Sequence, residues 1–460
     1  MYVLCDNPTL RLSYGVSLEE AISNVGEFTW KRKGEKTQTM SELLEKILDD
    51  DNVKIAMQRV KSNGGTFGVD KMELSKLDDY MEEHLEEIKH EIRTRTFVPN
   101  PVKRVEIPKP NGGVRKLGIP TVVDRTIQQA IVQVLSPICE PVFSEYSYGF
   151  RPGRCCQQAI IKALEFMNDG YLWVVDIDLE KFFDNVPQDK LMSYLHRIIN
   201  DGDTESLIRK FLKAGVMVND TIEKTDMGTP QGGNLSPLLS NIMLTELDKE
   251  LEARGLHFTR YADDCIILVK SHAAANRVMH SITGFIERKL GLKVNATKTK
   301  IVPPKDLKYL GFGFWKDNDG TWKSRPHKDS KMKFQRKVKL LCKRSWGVEL
   351  GYRISKLNEV TRGWINYYRI GSMKDFLISI SQHLRTLLRI IIWKQWKVPS
   401  KRQWGLEKLG IDKDKARQTA YMGDHYQFVC TKLCVRNAIS KEKLARKGLV
   451  DPLDYYLKKV

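Results

Sequence analysis

Apolar positions along this chain recur at two periods, and each change of period marks an element. Val53, Ala56, Met57 and Val60 follow the i, i+3, i+4, i+7 spacing of one helical face, with Asn52 as the expected cap. That helix stops at Gly64-Gly65, and a glycine-rich loop runs from Asn63 to Asp70. Between Pro99 and Pro120 the period shortens: Val102 to Ile107 and Val114 to Ile119 predict strands joined by the Pro110-Asn111-Gly112-Gly113 turn. Helical spacing returns from Asp124 to about Met167 and closes near Gly170. Leu172-Trp173-Val174-Val175 opens a buried strand, a further helix starts with Pro187 in its first turn, and a hairpin centres on Ala262 to Asp264. Mixed strands and helices in this order predict an α+β unit. Beyond residue 330 the pattern is almost wholly helical, whereas residues 1–40 show little periodicity and end in the polar run Lys31 to Thr39.

Charge divides the chain more sharply than length does. The 460 residues carry a formal net charge of +19. Residues 1–320 hold 43 basic and 46 acidic side chains, against 33 and 11 in residues 321–460, which also carry six of the nine tryptophans. A basic, aromatic-rich segment joined to a near-neutral one points to a polyanion partner. A hydrophobic content of 41% excludes global disorder. No run of 18 apolar residues occurs, and the first 30 residues carry Arg11 as their one base beside Asp6, Glu19, Glu20 and Glu27. Neither a membrane span nor a targeting segment is expected, and the expected location is cytoplasmic. Eight cysteines are too sparse for a disulfide framework, and Cys430 and Cys434 lack the second ligand pair of a zinc site.

The candidate chemistry lies in two acidic segments. Phe258-Thr259-Arg260-Tyr261 leads through Ala262-Asp263-Asp264 into Cys265-Ile266-Ile267-Leu268-Val269. An isolated Asp-Asp pair is more often a solvated turn. The second segment, Val174-Val175-Asp176-Ile177-Asp178-Leu179, changes that weighting, because alternation puts Asp176 and Asp178 on one strand face. Acids at the ends of neighbouring core strands repel, and divalent cations relieve the cost. Hard oxygen ligands suit Mg²⁺, and a pair of such ions suits nucleotidyl transfer.

Tyr261-Ala262-Asp263-Asp264, with Asp178 followed five residues later by Phe183, resembles the palm of reverse transcriptases. Within them the chain resembles the proteins encoded in bacterial group II introns, of the compact class lacking an endonuclease. Ile107-Pro108-Lys109-Pro110-Asn111-Gly112-Gly113-Val114-Arg115, Tyr148-Gly149-Phe150-Arg151-Pro152, Gly228-Thr229-Pro230-Gln231-Gly232-Gly233-Asn234-Leu235-Ser236-Pro237 and Tyr309-Leu310-Gly311-Phe312 match in the family's order. So do Ser345-Trp346-Gly347 and Thr361-Arg362-Gly363-Trp364-Ile365-Asn366-Tyr367-Tyr368, which resemble the maturase region, or domain X.

The resemblance implies a right-hand polymerase, with fingers and palm followed by an all-α thumb and a small basic helical C-terminal region. The expected divisions are 1–40, an extension of unknown role; 41–169, N-terminal extension and fingers; 170–320, palm; 321–399, thumb; and 400–460, a basic DNA-binding region. Asp178, Asp263 and Asp264 match the catalytic metal ligands, for two Mg²⁺ ions with Mn²⁺ able to substitute, and Asp176 is a supporting acid. Phe183 matches the ring that rejects a ribose 2′-hydroxyl; Lys109, Arg115, Gln231 and Lys298 match deoxynucleotide-triphosphate contacts. Gly64, Gly65, Tyr309, Leu310, Gly311, Arg362 and Trp364 match template and primer contacts. Along the thumb, Leu384, Leu387, Leu388 and Ile391 form the expected core stripe and Arg385, Arg389, Lys394 and Lys397 the expected basic face.

Expected partners are a group II intron RNA, an RNA template with DNA primer, target DNA and dNTPs, with no membrane and with monomer or dimer left open. The chain is expected to copy intron RNA into DNA and to assist splicing as a maturase, without cleaving the second target strand itself. Two other readings use the same motifs: a domesticated relative acting without an intron, in defence or repair, and an RNA-binding splicing factor only. The latter predicts decay of catalytic positions, yet the three acids, Lys109, Arg115 and Gln231 are intact.

Overall fold

The computed structural model describes residues 41–108, 112–230 and 232–459, so the 1–40 extension, Lys109 and Gln231 lie outside the described residues. Two compact units divide between Pro303 and Pro304.

The first unit opens with α1 (Glu42–Leu48), α2 (Asp50–Asn63) and α3 (Leu77–Arg93). Val53, Ala56 and Val60 are buried as their spacing requires. Asn52 is not the cap. The Asp49 carboxylate, one residue before the helix, accepts the amides of Asp51 and Asn52 at 3.1 and 3.2 Å, where it also meets the helix dipole. Asn52 instead donates to the Ile47 and Ala130 carbonyls at 2.8 and 3.2 Å, tying α2 to α4 (Val122–Cys139).

Before α4 come β1 (Val102–Pro108) and β2 (Val114–Ile119), the expected antiparallel pair. The helical pattern expected from Asp124 to Met167 is broken into α4 and α5 (Cys156–Asn168). Pro141, Pro152 and Gly153 lie in the break, where Arg151 bonds the Ser144 and Ser147 carbonyls at 2.5 and 2.8 Å and Glu140 at 2.9 Å, gathering the chain into a loop.

Next follow β3 (Trp173–Ile177), α6 (Phe182–Asn185), α7 (Gln188–Ile199) and α8 (Gly202–Lys213). Pro187 is the cap of α7 rather than its first residue. The hairpin β4 (Val216–Val218) and β5 (Thr221–Glu223), too short to leave a periodic signal, extends the first pair into the sheet β2-β1-β4-β5. α9 (Ser236–Ala253) is apolar on most sides and runs through the core. It precedes β6 (His257–Tyr261), β7 (Asp264–Val269), α10 (His272–Phe285) and β8 (Lys300–Val302). These strands form the sheet β6-β7-β3-β8, whose inner strands β7 and β3 are largely buried.

The second unit begins with a small sheet, β11 (Trp322–Pro326), β10 (Phe312–Lys316) and β9 (Lys308–Tyr309) in that order. The division expected at 320 falls inside this sheet, which belongs with the helices that follow. Those are α11 (Lys328–Leu341), α12 (Leu350–Tyr368), α13 (Lys374–Gln395), α14 (Pro399–Lys408), α15 (Lys413–Ala420), α16 (Tyr426–Thr431), α17 (Leu433–Ala438), α18 (Lys441–Arg446) and α19 (Pro452–Leu457).

α13 is long and apolar enough to cross a membrane by length and composition, but half of that stretch is buried against the unit's own helices. Leu384, Leu388 and Ile391 are buried in it, with Leu387 at the margin. The expected basic face needs correction. Arg389 is buried and donates to the Ile439 carbonyl at 3.0 Å, while Arg385 pairs with Asp451 at 2.5 Å, so both hold the fold together.

One buried cluster sets the shape of the β6–β7 hairpin. Arg260 has no exposed surface; its guanidinium grips Asp248 of α9 through two bonds of 2.7 and 2.5 Å. Its third nitrogen reaches Asn241 Oδ1 at 3.1 Å and the Ala262 carbonyl at 3.0 Å. Removing one partner of such a pair leaves a buried charge unmatched. Arg260→Met, with Asp248 retained, is expected to lower unfolding free energy by about 3–5 kcal/mol in denaturant titration; a loss below about 1 kcal/mol would show that the pair is not the clamp.

Candidate active site

β6 and β7 are joined by two residues, Ala262 and Asp263, because Tyr261 pairs directly with Asp264. Ala262 sits in the left-handed region at φ 58°, a conformation that costs a non-glycine residue of order 1 kcal/mol. The Arg260 bond to its carbonyl helps hold it there. The Tyr-Gly-Phe-Arg-Pro segment closes the other side: the Tyr148 amide donates to the Arg260 carbonyl at 2.8 Å and the Arg260 amide to the Tyr146 carbonyl at 2.9 Å. Asn241 also donates to the Gly149 carbonyl at 2.9 Å. A side chain on Gly149 would place its Cβ 2.2 Å from the Ala262 nitrogen, so this backbone approach requires glycine.

The hairpin is thereby aimed at the end of β3. β3 and β7 pair antiparallel as far as Ile177 opposite Cys265, so the next step outward sets Asp178 facing Asp264. The Asp178 main chain is fixed by the Asn295 amide, 2.8 Å from its carbonyl, and by Thr299 Oγ1, 3.2 Å from its amide. The Lys298 ammonium stands 3.3 Å from both Asp178 oxygens, and Lys300 stands 3.8 Å from Asp176, its register partner across β3 and β8.

Crowding shows in the acids' proton affinities. Although Asp264 keeps exposed surface, desolvation by the surrounding protein raises its carboxyl to about 7, reinforced by the charges of Asp263, Asp176 and Asp178 and opposed by Lys298. Burial raises Asp176 to about 6, against the pull of Lys300. Asp263 is raised by burial and by Asp178, while Arg115 on β2 pulls it down.

Among the described residues no three Asp, Glu, His or Cys side chains already converge into a metal cage. The donor set nevertheless fits Mg²⁺, which keeps several waters and takes one or two carboxylates plus substrate phosphates. Asp178, Asp263 and Asp264 would hold it, and a cation there would relieve the repulsion that raises Asp263 and Asp264.

Phe183 lies on α6, half-buried, its ring edge-on to Phe182 at 5.2 Å. Its carbonyl accepts the Thr229 amide at 2.7 Å, and Gly228 (φ 89°) packs where a Cβ would meet that carbonyl at 2.8 Å. Gly228 and Thr229, at the start of the Gly-Thr-Pro-Gln-Gly-Gly segment, are therefore seated on the Phe183 turn. Gly64 and Gly65 both take positive φ in a loop tied down by Arg125, which donates to the Gly64 and Thr66 carbonyls at 3.4 and 2.9 Å.

In the C-terminal unit, Tyr309 and Leu310 are buried, at 2% and 6% exposure. The Leu310 carbonyl accepts Tyr367 Oη at 2.9 Å, and the Gly311 carbonyl accepts Ser330 Oγ at 2.9 Å. Leu310 and Gly311 form a tight turn with positive φ at both positions, so their side of any primer contact would be backbone. Trp364 stacks on Phe334 at 4.6 Å and packs on Phe376 and Tyr368, half-buried in an aromatic cluster. Arg362 is exposed on α12.

An acid-tipped hairpin on an antiparallel sheet, backed by helices and preceded by a β-hairpin, is the fingers-and-palm fold of reverse transcriptases. Residues 107–314 match the reverse transcriptase (RNA-dependent DNA polymerase) family, and residues 331–410 match the group II intron, maturase-specific domain. The group II intron-encoded protein LtrA of Lactococcus lactis subsp. cremoris is 37% identical over 254 residues, which cover 53% of this chain and 41% of LtrA. Protein YkfC of Escherichia coli (strain K12) is 34% identical over 274 residues, covering 51% of this chain and 72% of YkfC. A solved partial Cas6-RT-Cas1–Cas2 complex shares 26% identity across 54% of this chain and 43% of that one, with a TM-score of 0.35. The chain belongs to the reverse-transcriptase family, in its group II intron-encoded branch. It spans about two fifths of LtrA's length.

The raised carboxyls give a pH dependence of definite sign. Between an unfolded value near 3.8 and about 7, the folded protein holds protons on Asp264 and Asp176 that the unfolded chain has released. Stability contributed by this site therefore falls as pH rises through that window and levels off above it. In metal-free buffer the melting temperature of Asp264→Asn, compared with that of the unaltered protein, is expected to gain more at pH 8 than at pH 5. Added Mg²⁺ should likewise stabilise the unaltered protein more at pH 8. Equal gains at both pH values would contradict the crowding of these acids.

Proposed function

We propose that this chain is an RNA-directed DNA polymerase that copies a group II intron RNA into DNA and also serves as a maturase for that RNA. The observation that carries the reading is the register that sets Asp178 at the end of β3 opposite Asp264, next to Asp263 in the β6–β7 turn, in a chain that also matches the maturase-specific domain. Two Mg²⁺ ions, when bound, would supply the positive charge that favours attack by a primer 3′-hydroxyl and departure of pyrophosphate.

The chain's own groups bind and orient. Asp178, Asp263 and Asp264 present hard oxygens, and Lys298 neutralises Asp178 while offering its exposed ammonium to a phosphate. Arg115 presents a fork suited to triphosphate oxygens, with Lys109 as a point charge from the same hairpin. Gln231 and Phe183 line the nucleotide pocket, Phe183 against the sugar edge. Gly64 and Gly65 meet the template, and the basic C-terminal unit holds the intron RNA and target DNA. We place the chain in a bacterial cytoplasm, taking its primer from a nascent DNA strand or another supplied 3′-end.

Primer extension on an RNA template with dNTPs tests the polymerase. Asp263→Asn is expected to abolish synthesis while RNA binding by filter retention stays within about twofold; retained synthesis would overturn the metal assignment. Phe183→Val is expected to raise ribonucleotide incorporation, and unchanged sugar discrimination would remove the gate. Splicing of the flanking RNA at low Mg²⁺ separates the maturase from a relative that works without an intron.

A further inference from the structure

The C-terminal unit holds a cleft of about 330 Å³ between α12, α13 and the last two helices, walled by Arg362, Arg385, Lys441, Asp451, Tyr455 and Lys458 with apolar Leu449 and Val450 at its floor. Its charges are unequal in their commitments. Asp451 is saturated inside the fold: one oxygen accepts Arg385, and the other accepts Ser381 Oγ at 3.1 Å and the amides of Leu453 and Asp454 at 3.1 and 3.4 Å. Asp454 accepts Lys441 at 2.6 Å. Glu442, beside Arg385, is tied to Ser440 and to its own backbone amide. Arg362 and Lys458 are left: among the described residues neither has a carboxylate within ion-pair distance, and both face the cleft. Tyr455 donates to Asn366 Oδ1 at 3.0 Å, and Asn366 lies one turn beyond Arg362 on α12, so the Tyr455 hydroxyl is tied to the helix face that carries Arg362.

An aromatic wall, an apolar floor and two uncommitted cations match one nucleotide: a base for the ring and a phosphate for Arg362 and Lys458. The volume lies at the small end of ligand pockets and excludes a duplex. We propose that this cleft captures a single unpaired nucleotide, an inference that rests on the reading of the chain as an RNA-binding enzyme. The nucleotide comes either from single-stranded RNA or from a free mononucleotide.

Ala445, exposed on α18 at the edge of the cleft, allows a steric test. Ala445→Trp plugs the cleft from outside the core, and Lys458→Gln removes one cation. Binding of a fluorescein-labelled ten-nucleotide single-stranded RNA is expected to weaken on the order of tenfold in Ala445→Trp. The salt slope in Lys458→Gln should fall by about 0.7. Adenosine 5′-monophosphate supplies the second arm. If RNA affinity is unchanged in both variants but the mononucleotide raises the melting temperature of the unaltered protein and not of Ala445→Trp, the occupant is a free nucleotide. If neither variant changes either measurement, the cleft is not a nucleotide site. Primer extension by the unaltered protein, run in parallel, reports separately on the RNA-copying reading: activity there with unchanged binding in both variants removes the cleft alone.

Discussion

The Arg260–Asp248 pair is the constraint on which the acidic hairpin depends. A guanidinium and a carboxylate without exposed surface are costly to bury, and here the cost is offset by two parallel bonds and by Asn241 and the Ala262 carbonyl. Because Asp248 and Asn241 belong to α9, the pair ties the strand before the acids to the helix that runs through the core. It holds Ala262 in a left-handed conformation, which turns Asp263 and Asp264 toward Asp178. The Tyr148-Gly149 segment closes against the same turn. The acids are thus brought close by groups that never touch substrate, and the raised proton affinity of Asp263 and Asp264 reflects that crowding.

Two different uses of charge follow. In the first unit nearly balanced totals conceal a concentrated acidic site, with Lys298, Lys300 and Arg115 arranged around it. In the second unit the excess of base is real, but part of it is structural: Arg385, Arg389 and Arg402 are spent on carboxylates and carbonyls. The surface available to a polyanion is therefore smaller than the composition indicates.

Much of this arrangement was legible in the sequence where a residue's type and spacing leave one solution. Alternation around Asp176 and Asp178 placed them on one strand face, and Ala262-Asp263 between two apolar runs had to turn. The β1–β2 hairpin was readable from its Pro-Asn-Gly-Gly turn. What escaped depends on distant partners. Asp49 and Asn52 are both plausible caps, and the choice is made by the Ala130 carbonyl from another helix. Arg389 has the spacing of a surface base and is buried because Ile439, 50 residues on, offers it a carbonyl. Trp364 reads as a freely presented aromatic, whereas Phe334 and Phe376 cover part of it. The Arg260 clamp left one usable signal, a charge inside an apolar strand, which needs a buried partner wherever that partner lies.

The most direct measurement is a structure of the protein with an RNA template, a DNA primer and an incoming deoxynucleotide, grown in Mn²⁺ and recorded at the manganese edge. Anomalous peaks about 2.1 Å from oxygens of Asp178, Asp263 and Asp264, with the primer 3′-end beside them, are the expected result. Manganese bound elsewhere, or a primer terminus remote from these three carboxylates, would contradict it.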